Sequence, residues 1–274
     1  MRNKFYIDDK DITFVVSGRF LQNDISNLIL LRKYFPESEI LLCTWTSDFE
    51  LLKKDSQSKI KKLVTKTILT KDPKSEVRDV YTGRSINYIR QLTSFSTSMN
   101  HISRKYVIKI RADLFFRDNK LLINRNLYED LENNKIIVLN ITSVNPKRWR
   151  GRAMPFHICD WFYMGKKDIM CNFFSQPMVS EKSFIKFKTS KIENDGDINI
   201  SDISIFSPEQ LIVLLSPKFR DLKIQLSQYN FDQETLKFSD IMVAKFFAIK
   251  HAYDLSLRST KYKVNSLFYH YSIS

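Results

Sequence analysis

An arginine and an aspartate stand at the end of a short apolar run within KYVIKIRADLFF, residues 105–116. The run is rich in β-branched and aromatic residues and has no Gly or Pro, so it predicts a buried strand. Ligands of open α/β sheets bind at the carboxyl ends of strands. There Asp113 can hold Mg²⁺ or Mn²⁺ together with the phosphates of a nucleotide. The alternatives are an ion pair between Arg111 and Asp113, or two residues that face solvent.

Two further acids stand beside the ends of predicted elements. Asp160 directly precedes the aromatic run that begins at Trp161, which predicts a strand. Glu209 lies in the first turn of a predicted helix, because Ser207 is a good N-cap residue and Pro208 suits the first helical position. By default, Glu209 stabilises the helix dipole.

Three candidates for phosphate contacts are glycine or arginine residues near strand and helix ends. Gly18 and Arg19 form the turn after the first predicted strand, and such a βα turn can lie against a nucleotide. Arg90 lies with Asn87 and Gln91 at the start of a helix that leads into the central strand. Arg provides planar, bidentate phosphate contacts. The alternative for this helix start is an ordinary polar surface.

The elements that position these residues alternate between strand and helix. A strand at 12–16, a helix that ends before Pro36 and a strand at 39–45 require a crossover, so the two strands are expected to be parallel. We predict an α/β fold with a mostly parallel central sheet flanked by helices. Because the pattern after residue 231 is helical, the prediction divides the chain into a main domain at 1–215 and a helical annex at 216–274 packed on it.

The composition indicates a globular protein with anionic partners. Lys and Arg number 44 and Asp and Glu 30, which gives a net charge of +14. Signatures of nucleic-acid binding are absent from the sequence, and the basic residues are scattered, so phosphate-bearing substrates and membrane surfaces are favoured over nucleic acid. With five glycines and neither GxGxxG nor a P-loop, a Rossmann dehydrogenase and a P-loop kinase are disfavoured.

The sequence also bears on compartment and metal chemistry. No apolar run approaches the roughly 20 residues that a transmembrane helix needs, and residues 1–11 lack a hydrophobic secretory segment, so we expect a cytoplasmic protein. The three cysteines lack the spacing of a zinc site and are expected to be reduced. His270 near the end of the chain is a core or surface histidine by default and a metal or phosphate ligand by hypothesis.

Several short motifs occur in an order that resembles the WavE family of bacterial lipopolysaccharide and capsule synthesis proteins, over residues 11 to about 215: ITFVVSG, LRKYFPESEILLCTW, DP, NYIRQL, KYVIKIRADLFF, PFHICDWFYMG and SPEQL. The family is regarded as glycosyltransferases of the GT-A type. The resemblance therefore implies an enzyme that moves a sugar from a nucleotide-diphospho-sugar donor to a lipopolysaccharide, lipooligosaccharide or capsule glycan acceptor.

The resemblance also implies roles for the residues that could bind the donor. Asp113 takes the position of the metal-binding DxD motif, while Arg111 replaces its first acid. A Mg²⁺ or Mn²⁺ cofactor is implied, but strict metal dependence is in doubt because Arg111 can itself neutralise diphosphate charge. The nucleotide pocket would be lined by further residues of these motifs: Gly18, Arg19, Asn87 and Arg90.

For the acceptor, the resemblance leaves two acids in competition. Glu209 resembles the acidic motif that takes the acceptor proton in GT-A enzymes, and it is the favoured base. Asp160, flanked by His157 and Trp161, is the second candidate and can instead bind sugar hydroxyls. Trp161 can stack on a sugar ring. A function of a different class also fits the charge: a noncatalytic module that binds anionic glycans or rests on the anionic inner face of the bacterial inner membrane.

Overall fold

The computed structural model describes the chain in ten ranges: 6–75, 77–79, 85–141, 143, 154–176, 178–179, 185–187, 203–204, 206–220 and 233–261. Within them lie these strands: β1 (Ile12–Ser17), β2 (Glu39–Trp45), β3 (Lys66–Thr70), β4 (Arg78–Asp79), β5 (Tyr106–Arg111), β6 (Leu114–Phe116), β7 (Ile136–Leu139), β8 (Phe162–Lys166), β9 (Ile185–Phe187), β10 (Ile203–Ser204), β11 (Phe247–Lys250) and β12 (Leu257–Ser259).

Helices alternate with these strands over most of the described chain: α1 (Ile25–Tyr34), α2 (Thr46–Glu50), α3 (Lys54–Leu63), α4 (Tyr88–Ser96), α5 (Arg125–Glu132), α6 (Lys167–Phe174), α7 (Pro208–Leu214), α8 (Pro217–Arg220) and α9 (Gln233–Phe246). Within the described part of the chain, none of these helices has the length and hydrophobicity needed to span a membrane.

A seven-stranded sheet in the order β11-β7-β8-β5-β1-β2-β3 forms the centre of the fold. β1 pairs in parallel with β2 and β5, β2 with β3, and β7 with β11. β8 runs antiparallel to both of its neighbours, β5 and β7. The predicted mixed α/β fold with a mostly parallel central sheet is therefore confirmed, and so is the parallel pairing of the first two strands.

The direction of β8 determines which residues meet at the sheet edge. β1, β2, β3, β5 and β7 all end at one edge, which we call the C-terminal edge. Because β8 runs the opposite way, it begins at this same edge, and its start at Phe162 pairs with Ile110 near the end of β5. Residues that precede β8 in the chain are thus placed beside residues that follow β5.

Two hydrophobic layers cover the faces of the sheet. Every residue of β1 and β2 is buried, as expected for strands that are covered on both faces. One layer contains apolar residues of α1, α3 and α5, and the other contains those of α4, α6, α7 and α9. The helices that carry Arg90 and Glu209, α4 and α7, therefore pack on the same face of the sheet.

The C-terminal segment differs from the predicted helical annex. The helical pattern is confirmed for α9, but residues 247–250 form β11, which joins the central sheet beside β7. The run Phe246 to Ile249 is apolar and aromatic, and such a run suits a strand as well as a buried helix. Pairing with β7 decides between the two, because it satisfies backbone groups and buries Phe247 and Ala248.

Candidate active site

Polar side chains from distant parts of the chain collect at the C-terminal edge of the sheet. The segments beside the strand ends at this edge carry eight of the predicted site residues and two additional acids, Asp48 and Asp72. The eight are Gly18, Arg19, Asn87, Arg90, Arg111, Asp113, Asp160 and Trp161. This placement follows from the topology, since strand ends of a parallel sheet share an edge.

Arg111 and Asp113 form a bidentate ion pair at the end of β5. The Arg111 Nε and Nη2 atoms donate to the two Asp113 carboxylate oxygens at 2.9 Å each. The Arg111 guanidinium also lies 4.9 Å from the centre of the Trp161 ring, and its backbone N–H donates to the Trp161 carbonyl. Both side chains remain partly exposed, at 27% and 16%. The ion pair named above as an alternative is therefore present, within reach of solvent.

The described residues do not form a ready cation site at Asp113. Both of its carboxylate oxygens already accept hydrogen bonds from Arg111, so a cation bound there would share the carboxylate with the guanidinium or take its place. His270, the other predicted metal ligand, lies outside the described residues. Within the described ranges, the one cluster of acids with metal-ligand spacing is Asp8, Asp9 and Glu37. These acids precede β1 and β2 and so lie at the opposite edge of the sheet.

A second bidentate pair joins Arg90 of α4 to Asp72, which follows β3. Nε donates to Oδ1 at 2.7 Å and Nη2 donates to Oδ2 at 2.8 Å. Arg90 Nη1 also donates to Oδ1 of Asn87, the N-cap residue of α4, at 3.2 Å. The structure thus places Arg90 beside Asn87 and adds an acid, Asp72, that the sequence analysis did not single out.

A further acid, Asp48 in α2, lies close to this second pair. Arg19 Nε is 3.7 Å from its Oδ1, whereas no described residue donates to its buried Oδ2. Burial raises the pKa of Asp48, and Arg19 and Arg90 partly oppose that rise, while Asp72 adds to it. A cavity of about 300 Å³ adjoins the carboxylate, lined by residues 20–23, Asp48, Leu51 and Leu52.

Gly18 makes the turn at the end of β1 with a φ of +100°. Its backbone N–H donates to the Cys43 carbonyl at 3.1 Å, which ties the turn to the end of β2. No described atom lies within 4 Å of the position that a Cβ atom would occupy. The glycine is thus required for backbone conformation, and the space above it is open.

Asp160 is held from two sides. Gln91 Nε2 donates to its Oδ2 at 2.6 Å, and Lys109 Nζ donates to its backbone carbonyl at 3.1 Å. Lys109 lies within β5 and is almost wholly inaccessible, with 1% exposure. Burial lowers the pKa of Lys109 to about 8, with the Asp160 charge opposing the decrease. Asp160 itself is 9% exposed.

The other predicted acid, Glu209, lies at the start of α7, which packs on the same face of the sheet as α4. Its Oε2 is 3.7 Å from His157 Nε2, so the structure brings these two predicted site residues together. Both Asp160 and Glu209 contribute to raising the pKa of the buried Tyr163, although burial is the larger cause. The charges of both candidate acids therefore act on one tyrosine of β8.

The start of α7 holds Glu209 in place. Ser207 Oγ accepts from the Gln210 backbone N–H at 3.2 Å, and Gln210 Oε1 accepts from the Ser207 N–H at 3.1 Å, which completes a capping box. Gln210 Nε2 also donates to the Pro155 carbonyl at 3.0 Å. The predicted N-cap at Ser207 is confirmed, and it ties α7 to the segment that leads to His157.

Sequence reasoning missed Lys109, Asp48 and Asp72 as members of the site. A charged residue between Ile108 and Ile110 in a buried strand was a usable signal for Lys109. Asp48 and Asp72 gave no comparable signal, because each lies in a polar segment whose position depends on the pairing of β2 and β3.

The comparison with family models agrees with the resemblance noted in the motifs. A family model described as WavE lipopolysaccharide synthesis matches residues 12–272. No curated protein matches the sequence. Among solved structures, the chain is similar to the mannosyltransferase PcManGT from Pyrobaculum calidifontis in complex with GDP-Man and Mn²⁺, with a TM-score of 0.38 at 10% identity. This match covers 64% of the chain and 51% of that structure, so the chain spans about half its length.

Proposed function

Because the chain belongs to the WavE lipopolysaccharide synthesis family, we propose that it is a glycosyltransferase of GT-A-like architecture. It transfers a sugar from a nucleotide-diphospho-sugar donor to a lipopolysaccharide, lipooligosaccharide or capsule glycan acceptor. One observation carries the proposal. Two partly exposed arginines, each in a bidentate pair with an aspartate, lie at the same sheet edge as the buried acid Asp160.

The two arginine–aspartate pairs supply the donor site. A phosphate group offers a guanidinium the same planar arrangement of two oxygens as a carboxylate does. Arg111 and Arg90 can therefore exchange a hydrogen bond to Asp113 or Asp72 for one to the donor diphosphate. Gly18 and Arg19 lie at the neighbouring strand end, and Asn87 holds Arg90, so these residues complete the nucleotide-binding set.

The reaction breaks the bond between the anomeric carbon and the diphosphate oxygen and forms a bond from that carbon to an acceptor hydroxyl oxygen. The diphosphate leaves with the bonding electron pair, and the positive charges of Arg111 and Arg90 stabilise it. In an inverting transfer, a carboxylate takes the acceptor proton. We assign this role first to Glu209, paired with His157, and second to Asp160.

A Mg²⁺ or Mn²⁺ ion bound by Asp113 stays a prediction. When bound, such an ion would supply further positive charge to the leaving diphosphate. The present contacts of Asp113 favour a site in which Arg111 supplies that charge. Transfer measured with Mn²⁺, with Mg²⁺ and with EDTA distinguishes the two arrangements.

The acceptor side is proposed to lie near His157 and Trp161. Stacking of a sugar on Trp161 stays a prediction, since its ring lies against Arg111 and is 6% exposed. Contact with an anionic inner membrane surface is proposed from the net charge of +14, which would bring the protein to a glycolipid acceptor.

The test of the proposed function is a thermal-shift screen against UDP-, GDP-, CMP- and dTDP-sugars, followed by transfer assays with the donor that binds. We expect one nucleotide class to raise Tm in a concentration-dependent way, because a ligand that binds the folded state stabilises it. Salt-sensitive binding to acidic polymers or liposomes, with no response to any sugar nucleotide, would instead support a noncatalytic binding module.

A further inference from the structure

Lys109 is the one lysine among the described residues whose side chain is buried. It occupies the middle of β5, between two buried isoleucines, on the sheet face that α4, α6 and α7 cover. Burial of an ammonium group costs free energy unless a partner compensates. A charge in the centre of the sheet therefore calls for a functional explanation.

The contacts of Lys109 lead to Asp160. Its Nζ donates to the Asp160 carbonyl at 3.1 Å and lies 5.4 Å from the centre of the Tyr163 ring. Tyr163 is its partner across the β5–β8 ladder. No described carboxylate lies within ion-pair distance of Nζ. Lys109 thus binds the backbone of the residue that carries a candidate catalytic carboxylate.

The turn before β8 is fixed at several other points. Gln91 Nε2 donates to Asp160 Oδ2 at 2.6 Å, and the Arg111 N–H donates to the Trp161 carbonyl at 3.2 Å. The Cys159 N–H donates to Ser143 Oγ at 3.0 Å. No described residue donates to Asp160 Oδ1. One carboxylate oxygen is therefore held by Gln91, and the carbonyl of the same residue is held by Lys109.

We propose that Lys109 is a positioning residue that, together with Gln91, fixes and electrostatically supports Asp160 at the C-terminal edge. The Lys109 ammonium donates a hydrogen bond to the Asp160 backbone carbonyl, and Gln91 donates one to a carboxylate oxygen of Asp160. The expected effect of Lys109 on kcat rests on the proposed glycosyltransferase function. The expected effect of Asp160 on the pKa of Lys109 does not.

The charged and titratable groups near Lys109 come from three directions. Asp160 and Cys159 in the turn before β8 raise the pKa of Lys109, Arg111 on its own strand lowers it, and burial lowers it most. Tyr163 faces it from β8. α4 contributes the neutral Gln91, and Glu209 at the start of α7 acts on Tyr163. The Asp160 carboxylate is thus the principal group that favours the charged form of Lys109.

The first experiment measures how the Asp160 charge affects the pKa of Lys109, and it needs no enzyme assay. Lysine side chains labelled with ¹³C are titrated by NMR in the full chain. We expect one lysine to titrate near pH 8, and that signal to be absent from K109M. In D160N the same lysine is expected to titrate at lower pH, because the compensating negative charge is gone. K105M, which removes an exposed lysine at the other end of β5, is expected to change nothing.

The second experiment measures transfer with the donor found in the screen. We expect K109M to lower kcat by about 100-fold with little change in donor KM, as for a misplaced catalytic group. Q91L, which removes the other hold on Asp160, is expected to lower kcat in the same way. We expect K105M to retain wild-type kinetics, since Lys105 lies at the opposite sheet edge.

Two results would overturn the inference. One is a Lys109 signal that does not move in D160N, and the other is a folded K109M with the kcat of the wild type. If K109M does not fold, the D160N titration decides alone. Failure of the proposed function has a different signature: no sugar transfer by the wild type, with the Lys109 signal still dependent on Asp160.

Discussion

The guanidinium of Arg111 and the carboxylate of Asp113, two residues apart, form two hydrogen bonds of 2.9 Å at the end of the central strand. Such a pair keeps a planar cation oriented while part of it stays accessible to solvent. In the proposed enzyme the donor diphosphate competes with Asp113 for this cation. Asp113 orients Arg111, and we expect it also to control how readily Arg111 binds phosphate.

We expect Asp113→Asn to reduce transfer by about 100-fold or more, equivalent to about 2.7 kcal/mol of lost transition-state stabilisation. The amide is a weaker acceptor, so Arg111 loses its fixed orientation. Tm should change little, since a partly exposed pair contributes about 1 kcal/mol or less. Asp118→Asn is the matched control, because Asp118 lies five residues beyond Asp113 and forms an ion pair with Lys120. Full activity of the Asp113 variant would refute this assignment.

Arg90→Lys tests the second pair. A lysine retains the charge but cannot form the bidentate contact that Arg90 makes with Asp72, so we expect donor Kd to rise by about 10-fold. Isothermal titration with the donor nucleotide gives this value directly. Arg125→Lys, in an exposed pair with Glu129 on α5, is the control and should leave Kd unchanged. Equal Kd values for the two variants would remove Arg90 from the donor site.

Lys109 makes stability depend on pH in a defined window. Its pKa in the folded protein is about 8, below the ordinary value of 10.5. Between these two values the unfolded chain binds more protons, so stability rises with pH across this window. We expect the free energy of unfolding of the wild type to rise, relative to K109M, by about 3 kcal/mol over the window.

Urea titrations of both proteins at the two ends of that window measure this difference. The comparison with K109M removes the effect of every other titrating group that the two chains share. A difference that stays constant with pH would mean that folding does not lower the pKa of Lys109.

Gly18→Ala is expected to cost about 1–2 kcal/mol, since an L-residue is strained at positive φ. The open space around the missing Cβ excludes a steric clash as the cause. Gly165→Ala is the informative comparison, because there the added Cβ would lie 2.9 Å from Met170 Cγ and packing determines the cost. Urea unfolding measures both. An unchanged stability for the Gly18 variant would contradict the required backbone conformation.

Ser207→Ala removes the N-cap acceptor of α7, and we expect a loss of about 1 kcal/mol. Ser207→Asp retains an acceptor at the same place and should restore most of the stability. Because Glu209 follows two residues later, transfer by the alanine variant should decline at a lower temperature than in the wild type. Thermal unfolding and activity measured on the same samples test both statements. Identical melting curves for the alanine and aspartate variants would contradict the capping role.

Local patterns were sufficient for much of the fold. The buried run of β5 predicts a strand wherever its neighbours lie, and the strand–helix–strand spacing of β1, α1 and β2 requires a crossover. The Ser207 cap is likewise local, because its contacts span three residues. At residues 247–250 the local pattern suits both a helix and a strand. A helix was predicted there, but pairing with β7 favours the strand.

By itself, the sequence determined the strands β1, β2 and β5, the crossover between β1 and β2, and the position of Arg111 and Asp113 at the end of β5. The tertiary structure decided the side-chain partners: Asp72 for Arg90 across 18 residues, and Asp160 for Gln91 across 69. The reason is that side-chain partners at a sheet edge depend on strand order and direction. The antiparallel course of β8, which places Asp160 above Lys109, arises from contacts between strands that no local pattern encodes.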